Sequence, residues 1–174
     1  WVCPATRIAS SGGMSASYAH PIIFLFLGGF LSARASESWN LHRRLAYAIL
    51  ARGRGDPKRI ILAIMAVTAF LSLWISNTAA AMVAAPIAAS IAAMRAEKDG
   101  FAPALMLGVA YAATIGGMGS LIGTPPNALF AAYMEETHGI VIGFAEWMLV
   151  GLPVAAILLP LTWLVLTRFS FTIG

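Results

Sequence analysis

The sequence predicts an all-α, polytopic membrane protein with a re-entrant helical hairpin and a broken transmembrane helix. Composition is the first observation behind this. Of 174 residues, 60% are apolar and 10% charged, and mean hydropathy is +0.83. Ordinary soluble domains run roughly 45–50% apolar and about 25% charged. Eleven Lys and Arg with seven Asp and Glu cannot cover a water-soluble surface of this size without large apolar patches. A soluble enzyme is excluded. The second observation is a series of long apolar stretches separated by basic segments. The third is that two of those stretches are interrupted where no loop is needed.

The elements follow in order. Residues 1–59 read as the end of a scaffold region, with one transmembrane helix from about Ser17 to Ala33. Between Asn40 and Ala51, Leu41, Leu45, Ala48 and Ile49 share one helical face, with His42, Arg43, Arg44 and Arg52 around them. This is an amphipathic helix in the cytoplasmic interface, its cations near anionic head groups. No aromatic or groove-reading pattern accompanies the basic run, so nucleic acid is not its partner. Arg52 to Pro57 then forms a short loop. Residues 60–94 form an apolar block interrupted by Ser76-Asn77-Thr78, and residues 95–139 a span broken at Gly123-Thr124-Pro125-Pro126-Asn127. Residues 140–174 hold a last apolar stretch, from about Ile140 to Leu166. The chain begins at Trp1 with no secretory pattern ahead of the apolar stretches and reads as a piece of something longer.

Sidedness comes from the cations. Seven of the eleven fall between Arg34 and Arg59, with Arg95, Lys98 and Arg168 further on. The segment near 134–146 holds Glu135, Glu136 and Glu146 and neither Lys nor Arg. The positive-inside rule places the basic regions in the cytoplasm and the acidic loop outside. Residues 60–94 therefore enter and leave on the cytoplasmic face. Each arm has about 17 residues, where a spanning helix needs about 20. That describes a re-entrant hairpin; the other arrangement is two full spanning helices with a tight turn.

Three consecutive hydrogen-bonding side chains at membrane depth are costly unless they line a cavity or face partners. Ser76 and Asn77 also suit the N-cap of the second arm, and a helix N-terminus offers free N–H groups and partial positive charge to a carboxylate. Polar glue between helices is the bland counterpart. In the next span, two successive prolines remove two donors, and Thr124 before them is biased away from helix. Unwound carbonyls at membrane depth survive where they line a cavity or coordinate a cation such as Na⁺. A plain proline kink is the alternative. Gly116, Gly117 and Gly119 just upstream let another element pack against the backbone.

Other chemistries find little here. His20, His42 and His138 lack metal-ligand spacing, and Cys3 is alone. No Asp or Glu is embedded within a span, Glu146 lying near the start of the last one, which argues against a carboxylate proton relay. No nucleophile–base pair can be inferred, so an intramembrane enzyme is not expected. Glu146 and Trp147 read as markers of the outer interface.

The runs Phe70-Leu71-Ser72-Leu73-Trp74-Ile75-Ser76-Asn77-Thr78 and Ile115-Gly116-Gly117-Met118-Gly119-Ser120-Leu121-Ile122-Gly123-Thr124-Pro125-Pro126-Asn127 resemble the divalent anion:sodium symporter family. Gly28-Gly29-Phe30 and Trp39-Asn40-Leu41-His42-Arg43-Arg44 add to the likeness, which covers about residues 15 to 168. That family is built from two inverted repeats, each with a re-entrant hairpin and a broken helix, and this chain resembles the first repeat alone. The resemblance implies a sodium site of Ser72, Ser76, Asn77 and the backbone oxygen of Gly123. It implies a dicarboxylate of the succinate, malate and fumarate class, one carboxylate held by Ser76, Asn77 and Thr78 with Thr124 nearby. It further implies a homodimer in the inner membrane, with Na⁺ as the coupling ion and elevator-type movement. Ser120 stands where a threonine is frequent, and Ala80-Ala81 where further threonines are often found. A sodium-independent anion exchanger or sulfate carrier of the same fold, and a non-transporting membrane fragment, are the rival readings.

Overall fold

The computed structural model describes residues 56–93 and 100–173, together with Leu27 and Leu31, both helical and exposed. The remainder of the first predicted span, the interfacial helix at 40–51, Arg95 and Lys98 lie outside the described residues. Among the described residues the regular structure is entirely helical: α1 (Pro57–Ser72), α2 (Asn77–Ala93), α3 (Phe101–Met118), α4 (Pro125–His138) and α5 (Phe144–Leu164), the last continued by a π-helical segment, Val165–Ser170.

Each boundary has a local cause. Pro57 opens α1 in the first turn, where its missing N–H costs nothing. Asp56 caps that turn by accepting from the Lys58 N–H at 2.9 Å. α2 opens on Ser76, whose Oγ accepts from the Ala79 N–H at 3.2 Å while its carbonyl accepts from the Ala80 N–H at 2.9 Å. Ser76 is thus the cap and Asn77 the first helical residue. α4 ends at Gly139, in the left-handed region at φ 68° that glycine enters without steric cost. In α5, the Glu146 carboxylate accepts from the Gly143 N–H at 2.9 Å.

The break in the third apolar stretch lies earlier than the sequence suggested. The non-helical residues are Gly119 to Thr124, whereas Pro125, Pro126 and Asn127 form the first turn of α4. Two prolines at the start of a helix initiate it rather than interrupt it. Thr124 is extended, at φ −146° and ψ 141°, as a residue before proline should be.

α1 and α2 run antiparallel. Val67, Leu71 and Ile75 at the end of α1 and in its connector cluster with Ala79, Ala80 and Val83 at the start of α2. Ile61, Ile64 and Met65 at the start of α1 cluster with Ala84 and Ala88 further along α2. α3 packs against both. Ala80, Ala84 and Ala88 form a buried stripe one turn apart on α2, and small side chains allow such close helix approach. On α3, a Cβ at Gly116 would overlap the backbone of Ala69, so α1 and α3 touch main chain to main chain.

α5 lies across this group, tied at both ends by tryptophan. Trp163 Nε1 donates to the Lys58 carbonyl at 2.7 Å, and Trp147 Nε1 to the Met118 carbonyl at 3.0 Å. The Gly100 N–H reaches the Thr172 carbonyl at 3.3 Å. The starts of α1 and α3 and the end of α5 therefore share one end of the bundle, the end that carries Lys58, Arg59 and Arg168. α5 has no buried residue; Leu149 is 76% exposed and Ile157 60%. Phe101–Met118 and Phe144–Ser170 are each long and apolar enough to cross a membrane.

Candidate functional site

At the end opposite the cations, the connector between α1 and α2 (residues 73–76) meets the break between α3 and α4 (residues 119–124). Ser72 is fully buried. Its Oγ lies 2.6 Å from the Ala113 carbonyl oxygen and 2.8 Å from Asn77 Oδ1. A hydroxyl has one proton, so at any moment it satisfies one of these two acceptors and leaves the other facing oxygen. Neutral oxygens gathered in this way are what a hard monovalent cation exchanges its hydration for. Among the described residues no three His, Cys, Asp or Glu side chains gather into a metal-binding group, so an ion in this cluster would meet neutral donors.

The break closes round the same point. A Cβ on Gly117 would collide with Asn77 Oδ1, and one on Gly123 would fall 2.5 Å from the Gly117 carbonyl oxygen and 2.9 Å from that of Ser72. Glycine at both positions is what lets α2's first residue and the unwound chain approach α3 this closely. Ser72, Asn77 and Gly123 thus converge, with Ser76 one residue away as the α2 cap. Thr78 is exposed on the first turn of α2. Thr124, half-buried, precedes α4, and its side chain makes no cap hydrogen bond. These two residues lie beside the oxygen cluster and share no hydrogen bond with it.

α2's N-terminus is partly used. Ser76 occupies the N–H groups of Ala79 and Ala80, which leaves those of Asn77 and Thr78 as the open donors of the first turn. These N–H groups lie at the positive end of the helix dipole.

Two residues around the site, Ala113 and Ser120, were not given a role by sequence reasoning, and a third, Asn127, counted there only as the Asn after the two prolines that favours an ion or substrate site. The Ala113 oxygen is a backbone atom of an ordinary apolar residue, and nothing in the sequence marks it. Ser120 is fully buried; its Oγ donates to the Leu73 carbonyl and accepts from the Gly123 N–H at 3.0 Å. Asn127 is buried, and its Nδ2 donates to the carbonyls of Gly117 at 2.9 Å and Ser120 at 2.8 Å. A polar residue beside a predicted break was the available signal for both. Trp147, read as an interface marker, also caps α3 through Met118 and meets Phe130 edge to face at 6.1 Å.

Comparison with known proteins adds two findings. A family model described as citrate transporter matches residues 2–172. The sodium-dependent dicarboxylate transporters SdcS of Staphylococcus saprophyticus and of Staphylococcus aureus strain USA300 are similar to this chain, at 41% and 40% identity over 178 residues. The matches cover 97% of this chain and 34% of each relative. The chain spans about a third of the length of these relatives.

Proposed function

Because the chain belongs to the citrate transporter family and is part of an integral membrane protein of the cell membrane, we propose that it is one repeat of a sodium-coupled dicarboxylate transporter. The observation that carries this is the convergence of Ser72 Oγ, Asn77 Oδ1, the Ala113 carbonyl and Gly123 where two interrupted helical segments meet. The names of the relatives, sodium-dependent dicarboxylate transporters, support both the ion and the class of anion.

In this reading Na⁺ sits among Ser72, Ser76, Asn77 and the backbone oxygen of Gly123, with the Ala113 oxygen adjoining. The ion enters first and fixes Asn77, the first residue of α2. One carboxylate of a substrate of the succinate, malate or fumarate class then meets the open N–H groups of Asn77 and Thr78 and the Thr78 hydroxyl, with Ser76 and Thr124 alongside. The second carboxylate is held by chain beyond this repeat. α1 and α2 form a re-entrant pair: 16 and 17 residues give about 24 and 26 Å at 1.5 Å per residue, short of a hydrocarbon core about 30 Å thick. The unit moves as a body relative to a dimeric scaffold, an elevator form of alternating access.

The test is uptake of labelled succinate by the full-length protein in proteoliposomes, with and without Na⁺, for wild type and Asn77→Ala. Wild-type uptake is expected to require Na⁺, and the variant to lose at least tenfold. Equal uptake without Na⁺, or an unchanged variant, overturns the assignment.

A further inference from the structure

We propose that Ser120 and Asn127 are positioning residues that set sodium affinity by holding the break in register with the α1–α2 connector; this rests on the sodium reading above. The chain at Gly119–Thr124 has left helical geometry, and its carbonyls keep only turn-type main-chain donors, Gly123 N–H to the Ser120 oxygen at 3.4 Å and Asn127 N–H to the Thr124 oxygen at 3.1 Å. Something must fix them, or the segment could adopt several paths and Gly123 would have no defined place. The two side chains do this in complementary ways.

Asn127 sits in the first turn of α4, just past the break, and spends both amide hydrogens backwards across it. One goes to the Gly117 carbonyl at 2.9 Å and the other to the Ser120 carbonyl at 2.8 Å. The amide therefore clamps the start of α4 to the end of α3 and sets how far the intervening chain bulges. Ser120 works at right angles to this, between the two halves of the site. Its single hydroxyl accepts from the Gly123 N–H and donates to the Leu73 carbonyl. Gly123 belongs to the break and Leu73 to the connector that leads to Ser76 and Asn77. One buried oxygen atom thus links the backbone that offers the Gly123 oxygen to the backbone that positions Asn77. Neither side chain is needed as a ligand. Both are buried, with the hydrogen-bonding atoms named above engaged to main chain.

An ion that needs oxygens from both halves is sensitive to their relative placement, because a misplacement of a fraction of an ångström at several ligands weakens every contact at once. Loss of the clasp should thus appear in the concentration of Na⁺ needed, more than in the rate once Na⁺ saturates and re-forms the site.

The experiment measures the sodium dependence of succinate uptake by the full-length transporter in proteoliposomes for Ser120→Ala, Ser120→Thr and Asn127→Leu. Ser120→Ala and Asn127→Leu are expected to raise the half-saturating Na⁺ concentration at least fivefold, with the maximal rate at saturating Na⁺ within twofold of wild type. Ser120→Thr, which keeps the hydroxyl, should stay within twofold in both. An unchanged half-saturation in Ser120→Ala overturns the proposal, as does a fall in maximal rate with no shift in sodium dependence. Should Ser120→Ala fail to accumulate in the membrane, the near-isosteric Ser120→Cys decides by the same criteria. Wild-type uptake that ignores Na⁺ would instead remove the underlying sodium reading, an outcome visible before any variant is made.

Discussion

At the scale of single residues, the site depends as much on missing atoms as on present ones. Gly117 faces Asn77 Oδ1 so closely that a β-carbon cannot be added without moving the amide. Asn77 is held from the other side by Ser72, whose position is fixed by its place in α1 and its approach to Ala113. Gly117→Ala should thus push Asn77 out of the oxygen cluster while leaving the helical propensity of α3 slightly improved. Overpacking of this kind costs about 1–3 kcal/mol, and if that cost falls on the ion-competent arrangement it corresponds to roughly 5- to 150-fold in affinity. The expected result is a sodium half-saturation raised within that range in uptake assays, with thermal stability of the purified protein lowered by only a few degrees. An unchanged sodium dependence would show that Asn77 is not constrained by this contact. Ser76, Asn77 and the Gly123–Asn127 break drew notice because short polar runs and proline pairs stand out against an apolar background, whereas Ser72 and the ligand role of Gly123 came only from the family resemblance. Sequence reasoning could not assign Gly117 this task, since the reason for that glycine is an atom forty residues away in the chain.

At the scale of elements, the start of α2 was legible, because Ser76 ahead of Asn77 has one conformational reason to be there. Pro57, read as the end of a loop, instead opens α1 behind the Asp56 cap, and the close of α4 at Gly139 was not read from the sequence. The break was misplaced by a few residues because proline has two roles, ending one helix and starting the next, and only the fold decides which applies. The path of the unwound chain was illegible for a related reason: it is set by Asn127 and Ser120, whose acceptors are backbone oxygens rather than recognisable side chains. α5 illustrates a different limit. Its sequence is apolar all round, so no face is marked, and it is located by two indole N–H groups. Trp163→Phe removes the bond to the Lys58 carbonyl but keeps most of the ring's packing. A hydrogen bond contributes about 0.5–1.5 kcal/mol net, and the Lys58 carbonyl, inside α1, keeps its helical donor. The purified transporter is expected to melt a few degrees lower with sodium half-saturation unchanged, because this contact lies at the end of the bundle remote from the oxygen cluster. A shifted sodium dependence would mean that α5 couples to the site along its whole length.

At the scale of the whole molecule, the bundle separates its charges from its polar chemistry. Lys58, Arg59 and Arg168 gather at one end, and the connector and break meet at the other. The positive-inside rule puts the cationic end in the cytoplasm, so the proposed re-entrant pair reaches into the membrane from that side. Its depth is then a matter of length. Sixteen residues of α1 rise about 24 Å, and a hydrocarbon core of about 30 Å leaves the tip some way short of the outer surface; in this arrangement Trp147, bonded to Met118 beside the break, lies inside the membrane and does not mark the outer interface. Single cysteines placed in a full-length protein whose own cysteines, Cys3 included, have been replaced by serine can measure this. Arg168→Cys marks the cationic end, His138→Cys the acidic last turn of α4, and Trp74→Cys, at a connector residue 45% exposed, the tip itself. A membrane-impermeant thiol reagent added outside intact cells should modify His138→Cys and leave Arg168→Cys and Trp74→Cys untouched. Permeabilised cells should then expose Arg168→Cys. If Trp74→Cys reacts from outside as fast as His138→Cys, α1 and α2 cross the bilayer fully, and Ser76, Asn77 and Thr78 lie at the outer surface rather than within the membrane. In that arrangement bulk water would already satisfy the oxygen cluster, and the physical reason for an ion to bind there would be gone.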